Sequence, residues 1–300
     1  MRESDRRVVE QMGQVVGPGA ALVQADTLQW LATQPENSFH AVVTDPPYGL
    51  LEYEDKDHDK LRSGRGGVWR QPQSLDGARR SPVPRFTVLT DADRRRMRVF
   101  FDEVAGELIR VLVPGGHVFM AANTLLAEIP FGALEASGFE RRATIVRLVQ
   151  TLRGGDRPKN AHLEFPGVTV MPRSGWEPWG LFRKPLIGTV AENLRRWGTG
   201  GLRRISDTEP FRDVILSAPT HRRERAIAAH PSLKPQKLLR ELVRASLPLG
   251  EGIVLDPFAG SGSTVAAAAA VGYAAVGVER DADYFDMALR HHGALRDLTV

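Results

Sequence analysis

A single segment toward the C-terminal end of the chain constrains the fold more than any other. It begins with the apolar run Ile253–Leu255, continues through the turn DPFAGSGST at 256–264 and an alanine-rich stretch, and closes with a second apolar run that ends at Glu279. The glycines of the turn let the backbone approach a ligand, and a helix that starts after it presents free N–H groups. An acid at the end of the next strand can accept hydrogen bonds from both hydroxyls of a ribose. The segment therefore predicts a strand–turn–helix–strand unit that binds a nucleotide-type cofactor.

The same alternation of apolar runs and helical patterns extends through most of the 300 residues. Strands are predicted at 19–26, 39–48 (running into a Pro-Pro turn), 117–122, 143–150 and 178–185, and amphipathic helices at 91–112 and 235–246. The predicted buried side of helix 91–112 is Val99, Val104, Leu108 and Leu112. Strands that alternate with helices indicate a parallel sheet. The predicted fold class is α/β, a doubly wound, mostly parallel Rossmann-like sheet with helices on both faces.

A second short motif, Asp45-Pro46-Pro47-Tyr48, ends the apolar run that begins at Phe39. The two prolines make the turn rigid and remove two N–H donors, so its edge is rich in acceptors. The Asp45 carboxylate and the Pro46 carbonyl would accept both N–H bonds of an amino group on a flat ring, and Tyr48 offers a stacking surface. That arrangement leaves the nitrogen lone pair directed at an electrophile. The four residues of the motif are therefore the candidate catalytic residues.

The two motifs gain specificity from their joint position. Each lies at the C-terminal end of a predicted buried strand, and ligands of doubly wound sheets bind at that edge, where the strand order reverses. One strand would deliver the cofactor and the other would hold the acceptor amine. The 256–264 turn lacks the lysine of a phosphate-binding loop and departs from the dinucleotide GxGxxG pattern. A cofactor without phosphates, such as S-adenosylmethionine, therefore fits the turn better.

These residues make the chain resemble the amino-group DNA methyltransferases, which methylate adenine N6 or cytosine N4. DPPY at 45–48 is similar to the catalytic tetrad of that family, DPFAGSGST at 256–264 to its S-adenosylmethionine signature, and HPSLKP at 230–235 to an HPTQKP-like element that helps to hold the cofactor. Leu233 departs from this element, because the family usually has a polar residue there. The order of the motifs, with the tetrad first, is that of the permuted β group, and the resemblance covers roughly 19–150 and 176–290.

The resemblance implies a set of residues that bind S-adenosyl-L-methionine. Asp26 falls where the family often has an acid near the adenine of the cofactor. Glu279 would meet the ribose, and the charged amino-acid end would lie near Asp256. The full set implied is Asp26, His230, Ser232, Lys234, Asp256, Phe258, Gly260, Gly262, Ser263, Thr264, Glu279 and Arg280.

The implied activity is direct methyl transfer to the exocyclic amine of a base flipped out of double-stranded DNA, as in DNA methylation and restriction-modification. Adenine N6 is the favoured acceptor, because family members that act on cytosine N4 more often carry serine at the position of Asp45. Cytosine N4, an RNA base and a protein glutamine stay open as acceptors. A different class also stays open, that of a catalytically silent DNA-binding partner of a methylating complex. The intact tetrad and glycine turn favour the active enzyme.

The domain organisation predicted is one catalytic domain over residues 1–300. Residues 51–90 are rich in Gly, Pro, Arg and Asp and are predicted to form a mobile loop insertion, because loops of that length are usually functional or disordered. DNA recognition is expected in 152–175 and 187–229. Core packing is favoured over a place in the base pocket for three aromatic residues, Trp176, Trp179 and Phe182.

Composition excludes several classes of protein. The chain has no cysteine, which removes disulfides, Cys-based metal sites and the covalent route to C5-methylcytosine. Its eight histidines show no paired spacing, so no metal is expected. The net charge of +4 favours a polyanionic partner such as DNA. The chain shows neither the apolar region of a signal peptide nor a run that could span a bilayer, so a cytoplasmic monomer or homodimer is expected.

Overall fold

The computed structural model describes residues 1–47, 90–149, 158, 161–170, 172, 174–228 and 233–300. Three predicted site residues, Tyr48, His230 and Ser232, lie outside the described residues, as does nearly all of the 51–90 insertion. The predicted recognition segment 152–175 is described only in part.

Nine strands form one sheet in the described part of the chain. They are β1 Gln14–Gly17, β2 Ala20–Gln24, β3 Phe39–Thr44, β4 Leu112–Ala121, β5 Glu140–Leu148, β6 Trp176–Arg183, β7 Val214–Leu216, β8 Ile253–Asp256 and β9 Ala274–Glu279. Across the sheet their order is β1-β2-β9-β8-β3-β4-β6-β5-β7. All neighbours are parallel except β1 against β2 and β6 against both β4 and β5. The predicted mostly parallel α/β sheet is confirmed.

Helices cover both faces of this sheet. They are α1 Glu3–Met12, α2 Thr27–Thr33, α3 Asp91–Val111, α4 Glu128–Ala136, α5 Val190–Trp197, α6 Arg222–Ile227, α7 Gln236–Ser246, α8 Ser263–Ala270 and α9 Ala282–Arg296. One apolar layer joins a sheet face to α2, α3 and α4, and the opposite layer joins the other face to α7, α8 and α9. Alternate residues of a strand enter opposite layers, as Val42 and Val43 of β3 do. None of the helices in the described ranges combines the length and the apolar character that crossing a membrane requires.

Helix α3 shows where periodicity alone misplaced a buried side. The helix begins with a capping box in which the Thr90 side chain accepts from the Asp93 N–H and the Asp93 carboxylate accepts from the Thr90 N–H. Its larger buried side chains are Met97, Phe101, Val104, Leu108 and Val111. The prediction for Val99 is wrong: this side chain is 58% exposed, because two residues turn it about 200° from Met97 around the helix axis. The prediction that Leu112 belongs to the helix is also wrong, because Leu112 begins β4.

The central parallel strands bring four acids to one edge of the sheet. Strands β2, β9, β8 and β3 are neighbours that run in the same direction, so their C-terminal ends meet along a common edge, here called the carboxyl edge. The acids at these strand ends or within two residues of them are, in spatial order, Asp26, Glu279, Asp256 and Asp45. The strand that precedes DPF therefore lies beside the strand that precedes DPPY, as predicted.

Close packing under the glycine turn makes Gly277 on β9 intolerant of a side chain. A Cβ there would lie 2.7 Å from Val265 Cγ2 and 2.8 Å from Ala259 Cβ. We expect Gly277→Ala to lower the free energy of unfolding by about 1–3 kcal/mol, as overpacking does. Gly106 in α3 is the matched control, because a Cβ there meets nothing within 4 Å and alanine favours a helix by about 0.5–1 kcal/mol. Urea denaturation of both variants measures the contrast, and shifts of equal sign would contradict the packing account.

Candidate active site

The Asp45 carboxylate lies directly beyond β3 and is held by a lysine from a distant part of the chain. Lys234 Nζ donates a hydrogen bond to Asp45 Oδ2 at 2.5 Å, and the side chains are 11% and 15% exposed. Of the two prolines that follow, Pro46 is buried and Pro47 is exposed. Lys234 was predicted as a cofactor residue, and its side chain lies against the catalytic candidate Asp45.

Two further charged residues extend this contact, and neither was predicted from the sequence. Lys234 Nζ is also 3.1 Å from Oε1 of Glu177 on β6, and Arg147 on β5 donates to Glu177 Oε2 at 2.8 Å. The Glu177 and Arg147 side chains are only 17% and 7% exposed. The one signal in the sequence was a single charge inside each apolar run, WEPWGLF and ATIVRLV, and that signal does not name the partner.

The electrostatics of these groups follow from burial and from each other's charge. Burial by itself lowers the pKa of Lys234, but the carboxylates of Asp45 and Glu177 outweigh it, so the pKa of Lys234 is raised. Burial by itself raises the pKa of Glu177, but the cations of Lys234 and Arg147 outweigh it and lower the pKa of Glu177. Lys234 and Glu177 therefore stay charged near neutral pH, although they are buried, because each has an opposite charge in contact.

The Asp256 carboxylate connects the two motifs. Its Oδ1 accepts from Thr44 Oγ1 at 2.7 Å and from the Phe258 N–H at 3.1 Å. Thr44 is the last residue of β3, so the bond ties the strand before Asp45 to the beginning of the glycine turn. The Thr27 hydroxyl at the start of α2 donates to the Pro257 carbonyl at 2.5 Å and holds the other side of the turn. The predicted pair of neighbouring sites is therefore built from directly bonded strand ends.

The Glu279 carboxylate fixes the glycine turn itself. Its Oε2 accepts from the Gly260 N–H at 2.7 Å and its Oε1 from the Asp281 N–H at 2.8 Å. Gly260 and Gly262 have positive φ values of 52° and 76°, which side chains disfavour, so the turn requires glycine at both positions. Burial raises the pKa of Glu279 above its usual range. Each carboxylate oxygen has a second lone pair, which leaves acceptor capacity for ligand hydroxyls.

The helix that follows the HPSLKP segment at 230–235 is hydrogen-bonded to the helix that follows the glycine turn. Gln236 Nε2 at the start of α7 donates to the carbonyl of Ser263 at the start of α8, at 2.9 Å. The Gln236 N–H donates to Glu224 Oε1 on α6 at 2.7 Å. Ser263 and Thr264 are buried in the first turn of α8. These contacts explain why the 233–235 segment reaches both the glycine turn and Asp45.

The other predicted site residues occupy varied surroundings. Asp26 caps α2 by accepting from the Leu28 and Gln29 N–H groups. Phe258 packs with Phe100 at a ring-centroid distance of 5.9 Å, and Arg280 is exposed. Trp179 and Phe182 are fully buried in the core, as favoured, whereas Trp176 is 40% exposed.

Asp256 makes the free energy of unfolding depend on pH. Burial raises its pKa to about 6, although bonds from Thr264, Thr44 and the Phe258 N–H oppose the shift. Since the folded state holds the proton more tightly, the stabilisation from this group is full below pH about 4 and is lost as pH rises through about 6. Relative to Asp256→Asn, we expect the unfolding free energy of the native chain to fall by about 2 kcal/mol from pH 4 to pH 7.

Urea titrations at each pH measure that difference. Asp102→Asn is the control, because Asp102 is an exposed carboxylate on α3 that pairs with Arg98 at the surface. If the difference in unfolding free energy between the native chain and Asp256→Asn stays constant with pH, the raised pKa of Asp256 is contradicted.

Comparison with known proteins identifies relatives over nearly the whole chain. Residues 189–290 match a family model for N6/N4 methyltransferases described as DNA methylase. The chain is 28% identical over 300 residues to the Type II methyltransferase M.HindIII of Haemophilus influenzae, covering 91% of this chain and 94% of that protein. It is 31% identical over 271 residues to the Type II methyltransferase M2.DpnII of Streptococcus pneumoniae, covering 89% and 87%.

A solved structure shares the architecture. The putative DNA modification methylase TTHA0409 from Thermus thermophilus, complexed with S-adenosyl-L-methionine, aligns with a TM-score of 0.56 at 23% identity, over 92% of this chain and 95% of that one. The strand order and the acids at the carboxyl edge therefore place the chain in one class of fold. That class is the DNA methylase fold. The chain belongs to the amino-group DNA methyltransferases, the N6/N4 family, and the resemblance seen in its motifs is confirmed.

Proposed function

We propose that the chain is an S-adenosyl-L-methionine-dependent Type II DNA methyltransferase that methylates the exocyclic amine of adenine, N6. The observation that carries the proposal is the pairing of two neighbouring strand ends, one with the acceptor carboxylate of Asp45 and one with the glycine turn. Thr44 Oγ1, one residue before Asp45, is 2.7 Å from Asp256 Oδ1 at the start of that turn. An amine held at the first strand end therefore lies beside a methyl donor held at the second.

The donor set of the carboxyl edge fits this cofactor. The acids Asp26, Asp256 and Glu279 lie at the ends of three neighbouring strands or within two residues of them. Carboxylates attract the cationic centres of S-adenosyl-L-methionine and accept from its ribose hydroxyls, whereas they would repel the phosphates of a dinucleotide. When bound, the cofactor supplies a methyl group activated by the sulfonium. Gly260 and Gly262, both with positive φ, have no side chain that would keep such a ligand from the backbone.

The residues of the tetrad orient and stabilise the acceptor. The Asp45 carboxylate and the Pro46 carbonyl accept hydrogen bonds from the amine, and these bonds strengthen as the nitrogen becomes positively charged in the transition state. Lys234 occupies Oδ2 of Asp45 and so orients the carboxylate. Tyr48 stacks on the flipped base, which contributes about 1–3 kcal/mol toward extrusion from the duplex. Holding nitrogen, methyl carbon and sulfur in line supplies a further part of the rate.

The choice of adenine rests on the identity of residue 45. The aspartate at this position is more typical of adenine N6 enzymes, whereas cytosine N4 enzymes more often carry serine. Cytosine N4 is the second candidate, because its amine also presents two N–H bonds to the same two acceptors.

We propose one catalytic domain over residues 1–300, with DNA recognition in the part of 187–229 nearest the carboxyl edge. Arg147 donates to Ser217 Oγ at 3.1 Å, and Thr220 donates to the Leu233 carbonyl, so the 214–228 stretch lies next to the Lys234 segment. Asn193, in contrast, donates to the Pro114 carbonyl near the start of β4, at the opposite edge of the sheet. DNA contacts are therefore expected from 214–228, including the exposed pair Arg222 and Arg223, which would hold phosphates without reading sequence.

Nucleoside mass spectrometry tests the proposal. Unmethylated duplex DNA of varied sequence is incubated with the protein and S-adenosyl-L-methionine, digested and scored for methylated nucleosides. N6-methyladenine is the expected product, and N4-methylcytosine would overturn the base assignment only. Calorimetric binding of the cofactor without any methylated nucleoside would direct the search to RNA or protein acceptors. Absence of both binding and transfer would favour the silent DNA-binding partner.

A further inference from the structure

Four charged side chains of alternating sign form a continuous series of contacts that ends at Asp45. Lys234 Nζ contacts Asp45 Oδ2 at 2.5 Å and Glu177 Oε1 at 3.1 Å, and Arg147 Nη1 contacts Glu177 Oε2 at 2.8 Å. None of the four side chains is more than 17% exposed. Removing one buried charge leaves its neighbour uncompensated, so the four groups act as one electrostatic unit.

The far end of this series reaches the stretch proposed for DNA recognition. The Arg147 guanidinium donates to Ser217 Oγ at 3.1 Å and to the Ala218 carbonyl at 3.2 Å, beyond the end of β7. One guanidinium therefore joins Glu177 to a backbone carbonyl of the 214–228 stretch. Few other side chains could replace it, because the fixed fork of arginine supplies several donors in different directions.

Glu177 is itself held in a single orientation. Trp179 Nε1 donates to Glu177 Oε2 at 3.3 Å, and the Trp179 side chain is fully buried in the core. With Arg147 on the same oxygen, the carboxylate presents its other oxygen to Lys234. Contacts with residues on the β5–β6 pair thus set the position of Lys234. Through Lys234 they also set the position of Asp45.

We propose that Glu177 and Arg147 are positioning residues for methyl transfer, which set the orientation and the charge of the Asp45 carboxylate through Lys234. This inference rests on the proposed function of Asp45. Neither residue touches the reacting atoms. Their contribution is to share the Lys234 cation between two carboxylates and so to hold the Asp45 carboxylate in a defined orientation.

Substitution of Arg147 and substitution of Glu177 should shift the pH profile of kcat in opposite directions. Within the described residues, the charged groups that face Asp45 are Lys234, Glu177 and Arg147, together with Asp256 from β8. In Arg147→Gln, Glu177 draws Lys234 away from Asp45, so the acid limb of the kcat profile moves to higher pH by about 0.5 unit or more. In Glu177→Gln, the excess positive charge moves the limb to lower pH. The double variant restores neutrality and should lie nearer the native profile than either single variant.

The experiment measures kcat against pH on DNA, with cofactor affinity determined by calorimetry. Each single variant should lose about tenfold or more in kcat at its optimum, because misorientation of a reacting group is costly, while cofactor affinity changes by less than about threefold. Arg183→Gln is the matched control. Arg183 and Glu140 form another Arg–Glu pair between β6 and β5, at the opposite end of these strands, so this variant loses stability and keeps the native profile.

The outcomes separate this inference from the proposed function. If the native protein transfers methyl groups and both single variants behave like Arg183→Gln, or shift the limb in the same direction, the positioning role is wrong. If the native protein transfers none, a carbon-13 NMR titration of the Asp45 carboxyl, assigned by its loss in Asp45→Asn, still decides the coupling. Opposite shifts of its midpoint in the two variants support the inference, and equal or absent shifts overturn it.

Discussion

Asp45→Asn is expected to reduce methyl transfer by at least about 1,000-fold, the scale on which preorganised transition-state contacts act. The amide presents one acceptor oxygen instead of two, and its NH₂ group would face either the Lys234 ammonium or the N–H bonds of the substrate amine. The charge that stabilises a developing cation on nitrogen is also lost. Because Asp45 lies beyond β3 and not in the glycine turn, cofactor affinity should change by less than about threefold.

Single-turnover transfer of a radiolabelled methyl group to DNA measures the first quantity, and calorimetry measures the second. Asp102→Asn serves as the control, because it makes the same chemical change at an exposed position of α3. Circular dichroism establishes that Asp45→Asn is folded. Transfer within about tenfold of the native rate would remove Asp45 from the catalytic role, since a catalytic acceptor is worth more than that.

Glu279→Gln is expected to weaken cofactor binding by about 100-fold, because hydrogen bonds to a charged acceptor are each worth about 1.5–3 kcal/mol. The carboxylate now accepts from both the Gly260 and Asp281 N–H groups. A glutamine has one acceptor oxygen, so one backbone donor loses its partner and the turn that receives the cofactor relaxes. The ribose hydroxyls lose a charged acceptor at the same time.

The expected kinetic signature is a raised KM for S-adenosyl-L-methionine with kcat at saturation within about threefold of native, because a uniform binding interaction has been removed. Glu103→Gln is the control, since Glu103 is exposed on α3. A large fall in kcat with unchanged cofactor affinity would place Glu279 in the chemical step instead. The variants at Asp45 and Glu279 therefore separate the acceptor half of the site from the cofactor half.

The local units of the site were predictable because their signals are local. The strand, glycine turn, helix and second strand around 253–279 follow from residues adjacent in sequence, as does the Pro-Pro turn after β3. Periodicity also predicted a helix within 235–246, where α7 lies. The same reasoning wrongly placed Val99 on the buried face of α3. Periodicity cannot tell the buried face from the exposed one where apolar residues occur on both sides of a helix.

The connections between distant segments were not predictable in this way. Lys234 and Asp45 are 189 positions apart, and the lysine was assigned to the cofactor because its motif resembles a cofactor element. Glu177 and Arg147 carried no recognisable motif. The role proposed for them arises because antiparallel pairing places Arg147 opposite Glu177 between β5 and β6. Two charges in apolar strands become meaningful only when each is seen beside its partner.

By itself, then, the sequence determined the α/β class, the two turns and the acids that end their strands, because backbone stereochemistry and hydrophobic alternation act over a few residues. The tertiary structure alone decided the order of the other strands in the sheet and the buried charges that surround Lys234. Sheet order and buried ion pairing depend on which distant segments share a desolvated space. No spacing within a single segment encodes that choice, because the free energy of each charge depends on a neighbour brought to it by the fold.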